Sequence, residues 1–140
     1  MNVLEGLRNL SGEECKIDSK RDCTALIGDH MWKDIKLKYD GKISRLADEF
    51  EITMPVVLPY NKMKVRIYEE ANGRFTGRTD VMIVRKNGSP ESSFGYGATV
   101  EEALGDTIRY FIQMVEEDYL IDGTVRLCAS DIRYAESSDF

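Results

Sequence analysis

The stretch "SSFGYGATVEEALGDTIRYFIQMVEE", residues 92–117, decides the fold. Thr99 stands three residues ahead of Glu102, the spacing of a capping box, so a helix starts there. Val100, Leu104, Ile108, Phe111 and Val115 then recur at helical spacing, with Tyr119 at the border of the stripe. Glu102, Asp106, Arg109, Gln113, Glu116 and Glu117 fall on the opposite side. Asp118 falls back on the apolar stripe and Asp122-Gly123 supplies a stop and a turn, which predicts a helix over 99–118. Ahead of it, "SFGYG" reads as a short strand over 93–97.

An apolar stripe needs a surface to cover it, and the sequence upstream supplies one. In "KMKVRIY", Met63, Val65 and Ile67 alternate with Lys64, Arg66 and Tyr68. Asn72-Gly73 is a turn dipeptide, "TDVMIVRK" reads as a second strand, and "NGSPES" as a second turn. The fold class that follows is α+β. Strands near 63–70, 79–86 and 93–97 form an antiparallel sheet whose apolar face is covered by the helix.

The flanks read less clearly. Residues 1–34 give no decided element, although Leu4, Leu7 and Leu10 share a helical spacing. "IKLKYDGKI" alternates through Ile35, Leu37 and Tyr39 into an Asp40-Gly41 turn, and Ile43, Leu46, Ala47 and Phe50 then match a short helix. "ITMPVVLPY" reads as an extended segment broken by Pro55 and Pro59. "TVRLCA" suggests a last strand and "ESSDF" a loose tail. With 140 residues and no linker, the expectation is a single domain over 1–140.

Charge is unevenly distributed. The formal net charge is −6, and the segment from Glu101 to Asp122 carries all of it; Tyr60 to Pro90 sums to +4. No apolar run is long enough to span a membrane, and no basic-then-apolar leader opens the chain, so a cytoplasmic setting is expected. Three cysteines at irregular spacing do not make a disulfide framework.

Several chemistries fail on the residues. Gly95-Tyr96-Gly97 is followed by Val100 where a dinucleotide loop needs its third glycine, and no P-loop lysine follows. Glu101 and Glu102 at the helix start would repel a phosphate. The glycines are expected instead to ease the turn of backbone into the helix. Cys15, Cys23, His30 and Cys128 lack the spacing of a zinc knuckle, so no metal and no cofactor is expected. With one histidine and no convergent acid–base set, a non-enzyme is expected.

Two charged faces remain as candidate sites. On the helix, Glu102, Asp106, Glu116 and Glu117 form an acidic face suited to a protein partner with a basic surface. On the sheet, Lys62, Lys64, Arg66 and Tyr68 form a basic face suited to nucleic acid, with Arg85 and Lys86 placed to join from the next strand.

The run "GYGATVEEALGDTIRYF", after a hairpin and a third strand, resembles the strand-strand-strand-helix unit of the HicB antitoxin family. Gly97, Thr99, Glu101, Glu102, Ala103 and Leu104 carry the likeness, which covers residues 62–119. The short acidic chain is also similar in overall look to small phage-encoded inhibitors of the anti-CRISPR type. The reading that follows is a non-catalytic binding protein, a phage or mobile-element inhibitor that docks its acidic surface on a nucleic-acid-handling protein inside a bacterial host cell. The alternatives are a nucleic-acid-binding or HicB-like regulatory module using the basic sheet face, and a small-molecule or nucleotide-binding protein using the N-terminal third. No membrane partner is expected, and self-association as a homodimer is left open.

Overall fold

A computed structural model describes residues 31–136 and 140. The chain divides into two compact units, Met1–Ser44 with Glu70–Asn72, and Arg45–Glu69 with Gly73–Phe140. In the first, a 3-10 turn covers Trp32–Asp34. A tight turn follows, in which the Gly41 amide donates to the Lys38 carbonyl (3.1 Å) and Tyr39 and Asp40 both take left-handed backbone angles. The Asp40-Gly41 turn is therefore present, but Ile35–Tyr39 forms no strand. Most of the N-terminal third, including Leu4, Leu7, Leu10, Cys15, Cys23 and His30, lies outside the described residues.

The second unit is α+β. Its strands are β1 (Ser44–Thr53), β2 (Lys62–Glu70), β3 (Phe75–Val84) and β4 (Pro90–Gly97), in the spatial order β1-β2-β3-β4. Helix α1 (Val100–Tyr119) follows, then a minimal hairpin of β5 (Leu120–Ile121) and β6 (Thr124–Val125), and last β7 (Ile132–Tyr134). Asp122 and Gly123 make the β5–β6 turn with positive φ at both positions. Of "TVRLCA", only Thr124–Val125 pairs, and that within the small hairpin. The strand that joins the main sheet is β7.

Met63, Val65 and Ile67 on β2 and Val81 and Ile83 on β3 are buried, and Phe111, Met114 and Val115 of α1 complete the same core. The helix is capped as its sequence specifies. The Glu102 amide donates to Thr99 Oγ1 (3.1 Å), while the Glu102 carboxylate reaches back to the amide of Ala98 (2.9 Å). The buried line of the helix runs through Ala103, Thr107, Phe111, Met114 and Val115. The stripe expected through Val100, Leu104 and Ile108 is only half-buried, so the helix is turned by about half a residue step from its apolar maximum.

Glycines cause that rotation. Gly77 and Gly95 are direct partners across β3 and β4 and face the helix. A Cβ on Gly95 would stand 2.2 Å from the Thr107 amide nitrogen, and one on Gly77 2.1 Å from Thr107 Oγ1. A Cβ on Gly97 would stand 2.5 Å from that of Glu102. Neither Gly95 nor Gly97 has positive φ, so these glycines do not ease a turn as expected. They form a ledge without side chains on which the small residues Ala103 and Thr107 press against the strand backbone.

β1 corrects a second expectation, since residues 44–53 form a strand rather than a helix. Phe50 and Ile52 turn toward the core while Leu46 and Ala47 are exposed. Long-range pairing with β2 overrides a local helical spacing of four residues. The loop after β1 folds back on itself. The Leu58 amide donates to the Met54 carbonyl (2.9 Å), the Met54 amide to the Asn61 carbonyl (2.7 Å), and Leu58 drops into the core.

Midway along β3 the ladder is irregular. Arg78 pairs with Phe94 but Met82 pairs with Ser92, so residues 79–81 stand opposite Ser93 alone. Thr79 repairs the gap. Its hydroxyl accepts from the Ser93 amide (3.1 Å) and donates to the Val81 carbonyl (2.9 Å), and Ser93 Oγ donates to the Thr107 carbonyl (2.7 Å). All three side chains are fully buried. On the other edge of β3 the neighbour changes at the same place, from β2 through Val65↔Thr79 to β7 through Val81↔Tyr134. Asp80 joins the two, its carboxylate accepting from the Lys64 amide (2.8 Å) and its carbonyl from the Ala135 amide (2.7 Å).

Candidate functional site

Alternation along each strand puts one set of side chains under the helix and the other on the outer face of the sheet. The register arranges the outer set in ranks. Arg66, Arg78 and Phe94 are successive direct partners across β2, β3 and β4, and Tyr68, Thr76 and Tyr96 form the next rank. The Arg78 guanidinium lies 5.2 Å from the centre of the Phe94 ring. Phe94 is 39% exposed and Tyr96 61%, large apolar surface for adjacent positions on one strand.

Of the predicted basic residues, Lys62, Lys64, Arg66 and Tyr68 do share this face, but two of the cations are paired. Lys62 faces Glu51 (3.5 Å), and Arg66 Nε donates to Glu49 (2.9 Å). The hydrogen bond from Arg66 holds the Glu49 carboxyl below its ordinary range. Tyr68 donates its hydroxyl to the Phe140 carbonyl (2.9 Å), and the Phe140 ring lies 4.4 Å from the Arg66 guanidinium. Phe140 is 8% exposed, so this residue of the expected loose tail is packed on the sheet.

Arg85 does not join the basic face. It turns to the helix, with Nε on Asp118 (2.7 Å), one terminal nitrogen on Glu117 (2.7 Å) and the other on Glu91 (3.0 Å). The Lys86 amide adds a bond to Asp118 (3.1 Å). The Arg85 hydrogen bond pulls the Asp118 carboxyl below the ordinary aspartate range. This is why an acid can sit where the apolar stripe continues.

The acidic face is largely engaged within the chain. Glu102 caps the Ala98 amide, and Asp106 accepts from the Tyr96 amide (2.9 Å) and from Arg109. Glu117 is held by Arg85 and by Gln113 (3.0 Å). Glu116 is exposed. Asp106 thereby covers the Tyr96 amide of edge strand β4 and Glu102 the Ala98 amide just beyond it, and Pro90, which has no amide proton, opens that strand; these devices hinder another strand from adding to it.

An open cleft runs along this edge, lined by Glu91, Phe94, Tyr96, Asp106, Arg109 and Tyr110. Tyr110 donates to Glu91 (3.1 Å), and burial with the neighbouring Glu91 raises its pKa. Each charged group of the cleft therefore has a partner in the chain, and its open chemistry is the Phe94 and Tyr96 rings. Cys128, at the start of the 3-10 turn Ala129–Asp131, is exposed. Among the described residues no three His, Cys, Asp or Glu side chains gather as metal ligands. No helix among them is long and apolar enough to cross a membrane.

Sequence reasoning missed Arg78, Phe94 and Tyr96. Phe94 and Tyr96 alternate with Gly95 and Gly97, which is the pattern of a strand with rings on one side and none on the other, and that signal was legible. The chain matches no family model, no curated protein and no solved structure in comparisons with each.

Proposed function

We propose that the protein is a non-catalytic binding module for single-stranded nucleic acid, and that its working surface is the outer face of the sheet. One observation carries the reading: Arg66 and Arg78 stand directly opposite each other, with Phe94 next in the rank and Tyr96 beside it. Like charges directly opposite on a sheet destabilise it, so the arrangement suits a surface that meets an anion. Glu49 pairs with Arg66, and the Arg78 guanidinium lies over the Phe94 ring, so a cation and an aromatic ring sit together on the surface. Exposed rings on alternate residues of one strand offer stacking positions for successive bases, and Lys64 is exposed on the same face.

The overall charge of −6 does not oppose this. Of the helix carboxylates, Asp106 adjoins Tyr96 but is paired with Arg109, and Glu117 and Asp118 are paired with Arg85; at physiological salt the fields of exposed charges fade over about 8 Å. The inhibitor reading, docking on a basic protein, keeps Glu101 and Glu116 as exposed acids, since Glu102, Asp106 and Glu117 are spoken for.

Fluorescence anisotropy with labelled uridine and thymidine decamers tests the proposal. Tyr96→Ala and Phe94→Ala should each weaken binding about 5- to 100-fold, the usual loss for one stacked base. Glu116→Lys should leave it unchanged or slightly tighter. Decamer binding that ignores both ring substitutions, or no binding at low salt, overturns the reading.

A further inference from the structure

We propose that the Arg66–Tyr68 end of the outer face is a third ring-binding position, filled in the free protein by the chain's own Phe140 and vacated when a base enters. The inference rests on the nucleic-acid reading above. Arg66 stacks on the Phe140 ring as Arg78 stacks on Phe94, at 4.4 Å and 5.2 Å respectively, from directly opposite positions on β2 and β3. The two arginines thus present the same chemistry twice. One ring belongs to the platform, and the other is brought by a residue seventy-two positions from Tyr68.

The Tyr68 hydroxyl donates to the Phe140 carbonyl, a contact that a base carbonyl can replace without leaving a polar group unsatisfied. Glu49 fixes the Arg66 guanidinium in place, so the position is preformed whether or not Phe140 fills it. Tyr68 shares its rank with Tyr96, so a strand stacked on Phe94 and Tyr96 reaches this position by crossing β3. A segment that holds its own site in the same way as the ligand lowers apparent affinity by its occupancy.

The test compares the full chain with Phe140→Ala, Phe140→Leu and Phe140→Tyr, using the labelled uridine decamer and a set of shorter oligomers. Phe140→Leu keeps an apolar side chain over the sheet and guards against loss of the fold; Phe140→Tyr keeps the ring. Phe140→Ala and Phe140→Leu should tighten decamer binding about 5- to 50-fold. Oligomers too short to cross β3 should bind all four chains alike, and Phe140→Tyr should match the original chain. Equal decamer affinity for all four overturns the inference and leaves the platform standing. Weaker binding by Phe140→Leu makes Phe140 a part of the surface rather than its occupant, and also overturns it. Absence of binding by every chain overturns the platform reading and this inference together.

Discussion

Gly95 lies beneath Thr107 with no room for a side chain between them: a Cβ on the glycine would stand 2.2 Å from the threonine's backbone nitrogen. The obstacle is helix backbone, which cannot swing aside as a side-chain tip can. Gly95→Ala must lift α1 from the sheet and should cost about 2–4 kcal/mol, at or above the usual range for overpacking. Gly105, on the exposed side of the same helix, has nothing within 4 Å of its added Cβ. Gly105→Ala should therefore stabilise by about 0.5–1 kcal/mol. Urea denaturation of the two variants should give opposite signs, and a neutral Gly95→Ala would refute the close contact.

Phe111 is fully buried in the main core cluster. Phe111→Ala should cost about 3–5 kcal/mol. A loss below ~1 kcal/mol in the same assay would mean that the helix does not seal the sheet.

Thr79 serves the irregular stretch of β3 through its hydroxyl alone. Thr79→Val keeps the shape but leaves the buried Ser93 amide without its partner, and should cost about 1–3 kcal/mol. Hydrogen exchange at Ser93 should rise by the corresponding factor, whereas an unchanged protection would show that the amide finds another acceptor.

Asp118 and Asp80 should give stability opposite slopes with pH. The Asp118 carboxyl is depressed by Arg85, so its contribution is fully present above the ordinary aspartate range and is lost as pH falls through the depressed value. Asp80 is raised, mainly by burial, so the protonated form is favoured by folding, and that contribution is lost as pH rises through the raised value. Asp118→Asn should flatten the acid limb of stability against pH and weaken the fold at pH 7. Asp80→Asn keeps an oxygen for the Lys64 amide and should be neutral or stabilising at pH 7. Denaturation between about pH 2 and 7 reads both, and parallel curves for the two variants would contradict the assignment.

The parts of the fold that local chemistry dictates were legible. The Thr99–Glu102 cap, the inward triplet Met63, Val65 and Ile67, and the turns at Asn72-Gly73 and Asp122-Gly123 each depend on residues close in sequence. What depends on register was not. Nothing in the sequence says that Arg66 and Arg78 are opposite, or that Gly77 meets Gly95, because strand alignment is fixed by the whole sheet. The rotation of α1 away from its apolar maximum followed from those glycines, and the misreading of β1 from a helical spacing that β2 overrode. Strand alternation puts Arg85 with the sheet's basic face, because it says nothing of a long side chain reaching three carboxylates on other elements. Helical spacing sets Glu102, Asp106, Glu116 and Glu117 opposite the apolar stripe, but the engagement of Glu102 with Ala98, Asp106 with Tyr96 and Glu117 with Arg85 is a tertiary fact.

The change of neighbours along β3 has a kinetic consequence. β2, β3, β4 and α1 follow one another without interruption, so they can assemble from contacts between segments adjacent in the sequence. β7 cannot join until the chain beyond α1 has been made and has turned back through the β5–β6 hairpin. Until then the second half of β3 has a bare edge, with Val81 and Ile83 beside it. Contacts between neighbouring segments form before one closed over that length, so β7 adds last, after the transition state, and until it does the bare edge of β3 is open to pairing with other copies. Substitutions in Ile132–Tyr134 should accordingly speed unfolding and leave the folding rate nearly unchanged, as stopped-flow measurements on Ile132→Val would read.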